Sequence, residues 1–283
     1  MASPYRVSAA PKAQPPLLEL RGVSKRFGAV QALTDVAFDV YAKEVVALVG
    51  DNGAGKSTLV KLISGIYPAD EGTFLWEGRP VTIRTPNDSA ALGIATVYQD
   101  LALCDNLDVV ANLYLGREQA TPRGPLGIMD EVEMELRAVE VLRRLSVKIP
   151  NVRIPIASLS GGQRQSVAVA RSVMGKNKLV FLDEPTAALG VAQTKEVLEL
   201  VKRLREEGHG VVIISHNMAD VFEVSDRICV MRLGRRVGTF DAGKVSREQL
   251  VGLMTGALAD LPAAADPMAA ATAAAALAES VNP

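Results

Sequence analysis

Eight residues, Gly50-Asp51-Asn52-Gly53-Ala54-Gly55-Lys56-Ser57, constrain this 283-residue chain more than any other feature. They satisfy Gly-x-x-x-x-Gly-Lys-Ser/Thr in full, and their neighbours supply the context that pattern needs. The apolar run Val45-Val46-Ala47-Leu48-Val49 precedes them and reads as a buried strand; Thr58, Leu59, Leu62 and Ile63 follow at helical spacing. A strand that stops in a glycine loop and restarts as a helix turns backbone N–H groups and a helix N-terminus toward an anion. In such a loop Lys56 reaches the outer phosphates of a nucleotide and the Ser57 hydroxyl ligates the accompanying Mg²⁺. A glycine-rich turn that merely carries a lysine is the alternative, and it leaves the flanking strand and helix unexplained.

Two further elements bear on the same chemistry. Leu179-Val180-Phe181-Leu182 is a second apolar strand run, ending in Asp183-Glu184. An acidic residue at a buried strand end holds Mg²⁺, which suits Asp183. Glu184 beside it is placed to polarise an attacking water. Taken by itself the pair also reads as a solvated sheet edge. Leu159-Ser160-Gly161-Gly162-Gln163 precedes a helical run through Val167, Val169, Ala170 and Val173. Ser160 is a natural cap there, and the glycines expose N–H groups to another anion. The residues alone leave open whether this is a second phosphate site or an ordinary glycine-rich helix start.

Short apolar runs alternate with helical patterns along the chain, which predicts a layered α/β domain. Val211–Ile214 stops at Ser215, and Ile94–Tyr98 is a further strand candidate. The polar residues that end these runs should line one carboxyl edge of a sheet, where open α/β folds bind ligands. Leu17–Arg21 and Val36–Tyr41 alternate apolar and polar residues, and a third candidate strand ends at Leu75-Trp76, as in an antiparallel sheet with one wet face. Residues from about 100 to 175 read as an inserted helical lobe. Within it, Asp130–Leu145 places Val132, Leu136, Val139, Leu142 and Leu145 on one apolar helical face. Residues 1–16, with four prolines, and the Ala-rich 257–283 read as disordered tails around a domain spanning 17–256.

Composition removes several classes. Lys and Arg number 31 against 32 Asp and Glu, so bulk electrostatic binding of nucleic acid is disfavoured. Cys104 and Cys229 form no close pair, which excludes a disulfide framework or Cys-rich metal site and fits a reducing compartment. Pro267–Ala278 is too short and too weakly apolar to cross a bilayer, and the N-terminus shows no secretion signal.

The ordered set of a phosphate loop, Leu-Ser-Gly-Gly-Gln and an apolar strand ending in Asp-Glu resembles the nucleotide-binding subunits of ABC transporters. The resemblance runs from about Leu17 to Thr255. It implies a phosphate-loop cassette with a RecA-like mixed-sheet core, an antiparallel β subdomain and an inserted helical lobe. It also assigns roles by position. Phe27 falls where the family stacks an aromatic ring, often Tyr, on adenine. Gln99 matches the glutamine that senses Mg²⁺ and the attacking water, and His216 the switch histidine that contacts the γ-phosphate. Ser160, Gly161, Gly162 and Gln163 would close over ATP held by a second subunit. Gly190 departs from the pattern, because the family usually has Asp there in a loop crossing the dimer interface.

Finer likeness lies in Arg21–Gly28, Val97–Leu103 and Ile214–Met218, which look like monosaccharide importers of the ribose/xylose/fructose type. A single short cassette resembles the fructose-import subunit most. The resemblance implies a homodimer sandwiching two ATP, integral-membrane sugar permeases, indirectly a periplasmic sugar-binding protein, and a peripheral position at the cytoplasmic face of the inner membrane. The segment through Cys104, Asn106 and Val109 would receive a permease helix. The competing reading is a soluble ABC ATPase acting on nucleic acid or the ribosome. The interval between Gln99 and Ser160 is too short for the coiled-coil arm of a chromosome ATPase.

Overall fold

A computed structural model of the chain describes residues 15–120 and 129–258. The expected tails therefore lie outside the described residues, apart from residues 15–16 and 257–258. Two sheets form the frame. The first is antiparallel, built from β1 (Leu18–Phe27), β2 (Val30–Val40), β4 (Glu71–Trp76) and β5 (Arg79–Val81) in the order β2-β1-β4-β5. The second has six strands in the order β10-β9-β3-β8-β7-β6. It comprises β3 (Glu44–Val49), β6 (Ile94–Val97), β7 (Leu179–Asp183), β8 (Gly210–Ile214), β9 (Arg227–Arg232) and β10 (Arg235–Asp241). All but the β9–β10 pair run parallel.

The parallel strands are continuous apolar runs because both of their faces are covered. Along β3, Val45, Ala47 and Val49 join one core with Val180, Leu182, Val211 and Ile213. The alternate residues Val46 and Leu48 join the other, with Phe181, Val212 and Ile214. The first core lies under the helices α3 (Val109–Tyr114), α4 (Glu131–Arg144), α5 (Gly161–Val173) and α6 (Val191–Glu206). The second lies between the two sheets and encloses α1 (Lys56–Ile63). Three further helices complete the described fold: α2 (Pro86–Leu92), α7 (Met218–Val224) and α8 (Arg247–Thr255).

A buried ionic cluster joins the sheets. The Arg227 guanidinium pairs with Glu44 and with Asp39 (2.9 Å), while Glu44 Oε2 also accepts from the Tyr41 N–H (2.9 Å). Glu44 is 1% and Arg227 8% exposed. Leaving either charge unpartnered at such depth costs about 3–5 kcal/mol.

Among the described residues between 100 and 175 lie the helices α3, α4 and α5 and a 3₁₀ turn at Ile156–Ser158. The single apolar face expected for α4 is split in the structure. Leu142 and Leu145 are buried, but Val132 is 70% and Leu136 62% exposed, and Val139 is exposed as well. The helix instead buries Met134, Ala138 and Leu142 against α3 and α5. The stripe Val132-Leu136-Val139 and the stripe Met134-Ala138-Leu142 centre roughly 130° apart around the helix, and packing buries the second.

Candidate nucleotide site

The register of the parallel sheet brings the candidate residues to one edge. Leu48 pairs with Ile214, Ile214 with Asp183, and Val97 with Leu182. The residues that follow these strand ends are Gly50 after β3, His216 after β8, Glu184 after β7 and Gln99 after β6. They come from four consecutive strands in the order β3-β8-β7-β6.

The glycine loop is shaped by what surrounds it. Gly50 has φ 152°, and a Cβ there would lie 2.2 Å from the carbonyl oxygen of Met231 on β9. Gly55 has φ 101°, and a Cβ there would lie 2.7 Å from Leu33 Cδ2 on β2. The turn Leu233-Gly234 closes the cage: the Gly234 N–H donates to the Ala54 carbonyl (3.0 Å), and its own carbonyl accepts from the Thr34 N–H (2.8 Å). Val30, Gln31, Ala32, Leu233 and Gly234 thus line a cleft of about 470 Å³ together with residues 52–58. Sequence reasoning did not select these five; a Leu-Gly dipeptide between strands is a turn signal, but nothing local ties it to the loop.

Helix α1 begins on Gly55 without a side-chain acceptor and with no acidic residue in its first turn. By contrast α2, α3, α4, α5, α7 and α8 each begin on a side chain that accepts from the first turn. An uncapped start preceded by a glycine loop is an anion site by construction. The Lys56 ammonium donates to the carbonyls of Gly50 (2.6 Å) and Asp51 (3.0 Å). Burial lowers its pKa, opposed by Glu184, Asp51 and Asp183. Burial and then the Glu184 charge raise the pKa of Asp183, against the pull of Lys56 and Lys61. A cation and two carboxylates therefore share a partly dehydrated strand edge, where each charge is worth more than in water.

Glu184 Oε2 lies 2.9 Å from His216 Nδ1. The Glu184 N–H donates to the Ile214 carbonyl (2.9 Å), so the turn after β7 is anchored on β8. Glu184 itself has φ 49°, an uncommon conformation for a non-glycine residue. Gln99 is exposed at the end of the neighbouring strand.

Phe27 ends β1 and pairs in register with Val30 of the cleft. Its ring is edge-on to Tyr67, with centroids 5.1 Å apart at 72°, and Lys25 Nζ sits 5.5 Å from its centroid. Lys25 is in turn held by Asp70 (2.6 Å).

The Ser160–Gln163 segment is elsewhere. Ser160 Oγ accepts from the Gln163 N–H (3.3 Å), and Gln163 Oε1 accepts from the Ser160 N–H (3.0 Å), a closed capping box. Gln163 Nε2 also donates to the Lys148 carbonyl (3.2 Å). Gly161 and Gly162 face Leu189 and Gln193 at the start of α6. Among the described residues no hydrogen bond joins 160–163 to the glycine loop.

Among the described residues no three His, Cys, Asp or Glu side chains converge as a metal cage. The oxygen donors Ser57 and Asp183 fit an ion of the Mg²⁺ kind, which is bound through one or two carboxylates and completes its shell with waters and phosphate oxygens. Cys229 is fully buried and its thiol is pushed up to about 11, which makes it inert.

Fold and edge together define an ATP-binding cassette of the phosphate-loop class. Residues 33–187 match the ABC transporter domain family. The fructose import ATP-binding protein FrcA of Rhizobium meliloti is 46% identical over 250 residues, 87% of this chain and 96% of that one. The xylose/arabinose import ATP-binding protein XylG of Sulfolobus acidocaldarius is 44% identical over 84% of this chain and 94% of its own. A ribose import ATP-binding protein of Burkholderia pseudomallei is 42% identical over 85% of this chain, which spans 47% of that protein. Among solved structures, a nucleotide-free ATP-binding cassette from an ABC transporter superposes with TM-score 0.71 at 26% identity, over 85% of this chain and 95% of that one. The chain belongs to the ABC transporter family, as an ATP-binding cassette.

Proposed function

We propose that this chain is the ATP-hydrolysing subunit of an ABC importer of monosaccharides, with fructose or ribose as cargo. The observation that carries the chemistry is the convergence of Lys56, Asp183 and the Glu184–His216 pair on one sheet edge, beside a helix start that no side chain caps. The cargo class rests on the similar importers.

Residues 50–58 wrap the phosphates through backbone N–H groups, and Lys56 exchanges its loop carbonyls for the β- and γ-phosphate oxygens. Ser57, Asp183 and Gln99 would hold Mg²⁺, which would supply positive charge against the phosphates. Phe27 stacks on adenine. Glu184 orients a water and accepts its proton as the water oxygen bonds to the γ-phosphorus and the β–γ bridging bond breaks. His216, held by Glu184, donates to a γ-phosphate oxygen. ATP and water become ADP and phosphate, by positioning and charge stabilisation.

Two copies pair head to tail, so that Ser160, Gly161, Gly162 and Gln163 of each close over the nucleotide of the other. The capping box of α5 suits that role, since Ser160 and Gly161 are exposed and no hydrogen bond joins the described segment to its own glycine loop. The dimer docks on sugar permeases at the cytoplasmic face of the membrane, through the surface after Gln99 that includes Cys104, Asn106 and Val109, and a periplasmic sugar-binding protein feeds the permeases. Among the described residues no helix is long and apolar enough to cross a membrane, so the permeases would supply the span. The domain occupies residues 17–256.

The test is uptake of labelled monosaccharides in a strain lacking this gene, complemented with wild type or Glu184→Gln. Recovery for one sugar by wild type alone supports the reading. Undiminished uptake of every sugar in the deletion strain overturns the cargo.

A further inference from the structure

The bonds around Glu184 and His216 close a ring. One link is the 2.9 Å contact between the two side chains. The other passes through Asp220, in the first turn of α7. Two residues after Glu184, the Thr186 hydroxyl donates to Asp220 Oδ2 at 2.6 Å. One residue after His216, Asn217 Nδ2 donates to Asp220 Oδ1 at 3.0 Å. The turns after β7 and β8 are therefore tied twice, once by the Glu184–His216 contact and once by a carboxylate shared between a hydroxyl and an amide.

Asp220 is 4% exposed. A buried carboxylate is an expensive way to join two loops, and one held by neutral donors is retained where orientation matters more than stability. Asn217 is committed at both ends: its Oδ1 accepts from the Ala219 N–H (3.0 Å) to cap α7 while its Nδ2 reaches Asp220. The geometry also needs restraint, because Glu184 at φ 49° occupies a region that persists only when its surroundings over-determine it. The Ile214 carbonyl holds the Glu184 N–H, and Asp220 holds the next turn of chain through Thr186.

We propose that Asp220 and Thr186 are positioning residues for the Glu184–His216 pair. The Asp220 carboxylate keeps the two strand-end turns at a fixed separation, so that the Glu184 carboxylate faces the attacking water with His216 at its side. The proposal rests on the reading of Glu184 and His216 given above.

The test compares Thr186→Val, Thr186→Ser, Asp220→Asn and Glu184→Gln in the full chain with Mg²⁺ and ATP. Thr186→Val removes only the donor, and thermal unfolding checks that it folds. The chain has two histidines, His209 and His216, so an imidazole nitrogen spectrum reads the His216 tautomer directly. Expected are a fall in kcat of about 10- to 100-fold for Thr186→Val and Asp220→Asn with KM and ATP affinity unchanged, the size of a small misplacement of a reacting group. Thr186→Ser should retain wild-type turnover, and the His216 Nδ1 resonance should shift in Thr186→Val as its contact with Glu184 loosens. Wild-type kcat in Thr186→Val, with Glu184→Gln inactive, overturns the proposal, as does a parallel loss of kcat and ATP affinity. Full turnover in Glu184→Gln instead overturns the reading of the site on which the proposal rests.

Discussion

The glycine loop and the Ser160–Gln163 segment are both glycine-rich helix starts, built in opposite ways. The loop is enclosed by β2, β9 and the Leu233-Gly234 turn, and its helix begins with no side-chain acceptor. The α5 start caps itself through Ser160 and Gln163, and Ser160 and Gly161 are exposed. The first is a cavity that packing made, whose N–H groups an anion satisfies. The second is a surface whose cap is satisfied locally, by Ser160 and Gln163. A shared sequence flavour thus hides two kinds of site, and they should respond differently to the same change.

The largest effect should come from Lys56→Ala, which removes the cation of the enclosed site. ATP hydrolysis should fall by at least about 100-fold and ATP affinity with it, whereas Glu184→Gln should lose turnover and keep affinity. Calorimetry beside a phosphate-release assay separates the two.

Gly50→Ala and Gly161→Ala set the two helix starts against each other. At Gly50 the added methyl meets a backbone carbonyl at 2.2 Å with φ 152°, so stability should drop by about 1–3 kcal/mol or more. At Gly161 it meets only the far end of Leu189 at 3.2 Å. Denaturant midpoints should fall for Gly50→Ala and stay near wild type for Gly161→Ala, while hydrolysis is impaired in both. Equal destabilisation would erase the contrast drawn above.

Asp183→Asn sharpens it through pH. The Asp183 pKa is raised in the fold from 3.8, so its contribution to stability is fully present below that pH and is lost as pH rises through the folded value. The Asn variant should therefore unfold at a higher temperature than wild type at pH 7, with the gain shrinking as pH falls toward the unfolded pKa, although it loses Mg²⁺-dependent ATP binding. Thermal melts across the acid range check the sign.

Gly190→Asp should do least. Gly190 caps α6 at φ −73°, with nothing within 4 Å of an added Cβ. An Asp there would cap the helix and stabilise the chain by a few tenths of a kcal/mol, roughly the difference between Gly and Asp caps. Any larger change in hydrolysis would report the contact across the dimer.

The strands that carry the site were legible because each is buried on both faces and so reads as an unbroken apolar run. Val45–Val49, Leu179–Leu182 and Val211–Ile214 needed no partner to be seen. The strands β9 and β10 were not selected from sequence. Arg227 begins β9 and is buried only because Glu44 and Asp39 meet it there, and such a charge reads as surface until its partners are known. The face of α4 failed for a related reason. Val132, Leu136 and Val139 outrank Ala138 in hydrophobicity yet are exposed, because packing against α3 and α5, not local hydrophobicity, decides which flank is buried.

By itself the sequence determined the local chemistry: a loop that wraps an anion, a self-capping helix start, strand ends that carry Asp-Glu and His. These follow from short-range rules of backbone conformation, capping and burial that operate within a few residues. Only the tertiary structure decided which strand ends become neighbours, that Leu233-Gly234 closes over the loop, and that Asp220 ties the turns bearing Glu184 and His216. Those contacts join residues far apart in the chain, and their geometry is set by strand order and register, which no single segment encodes.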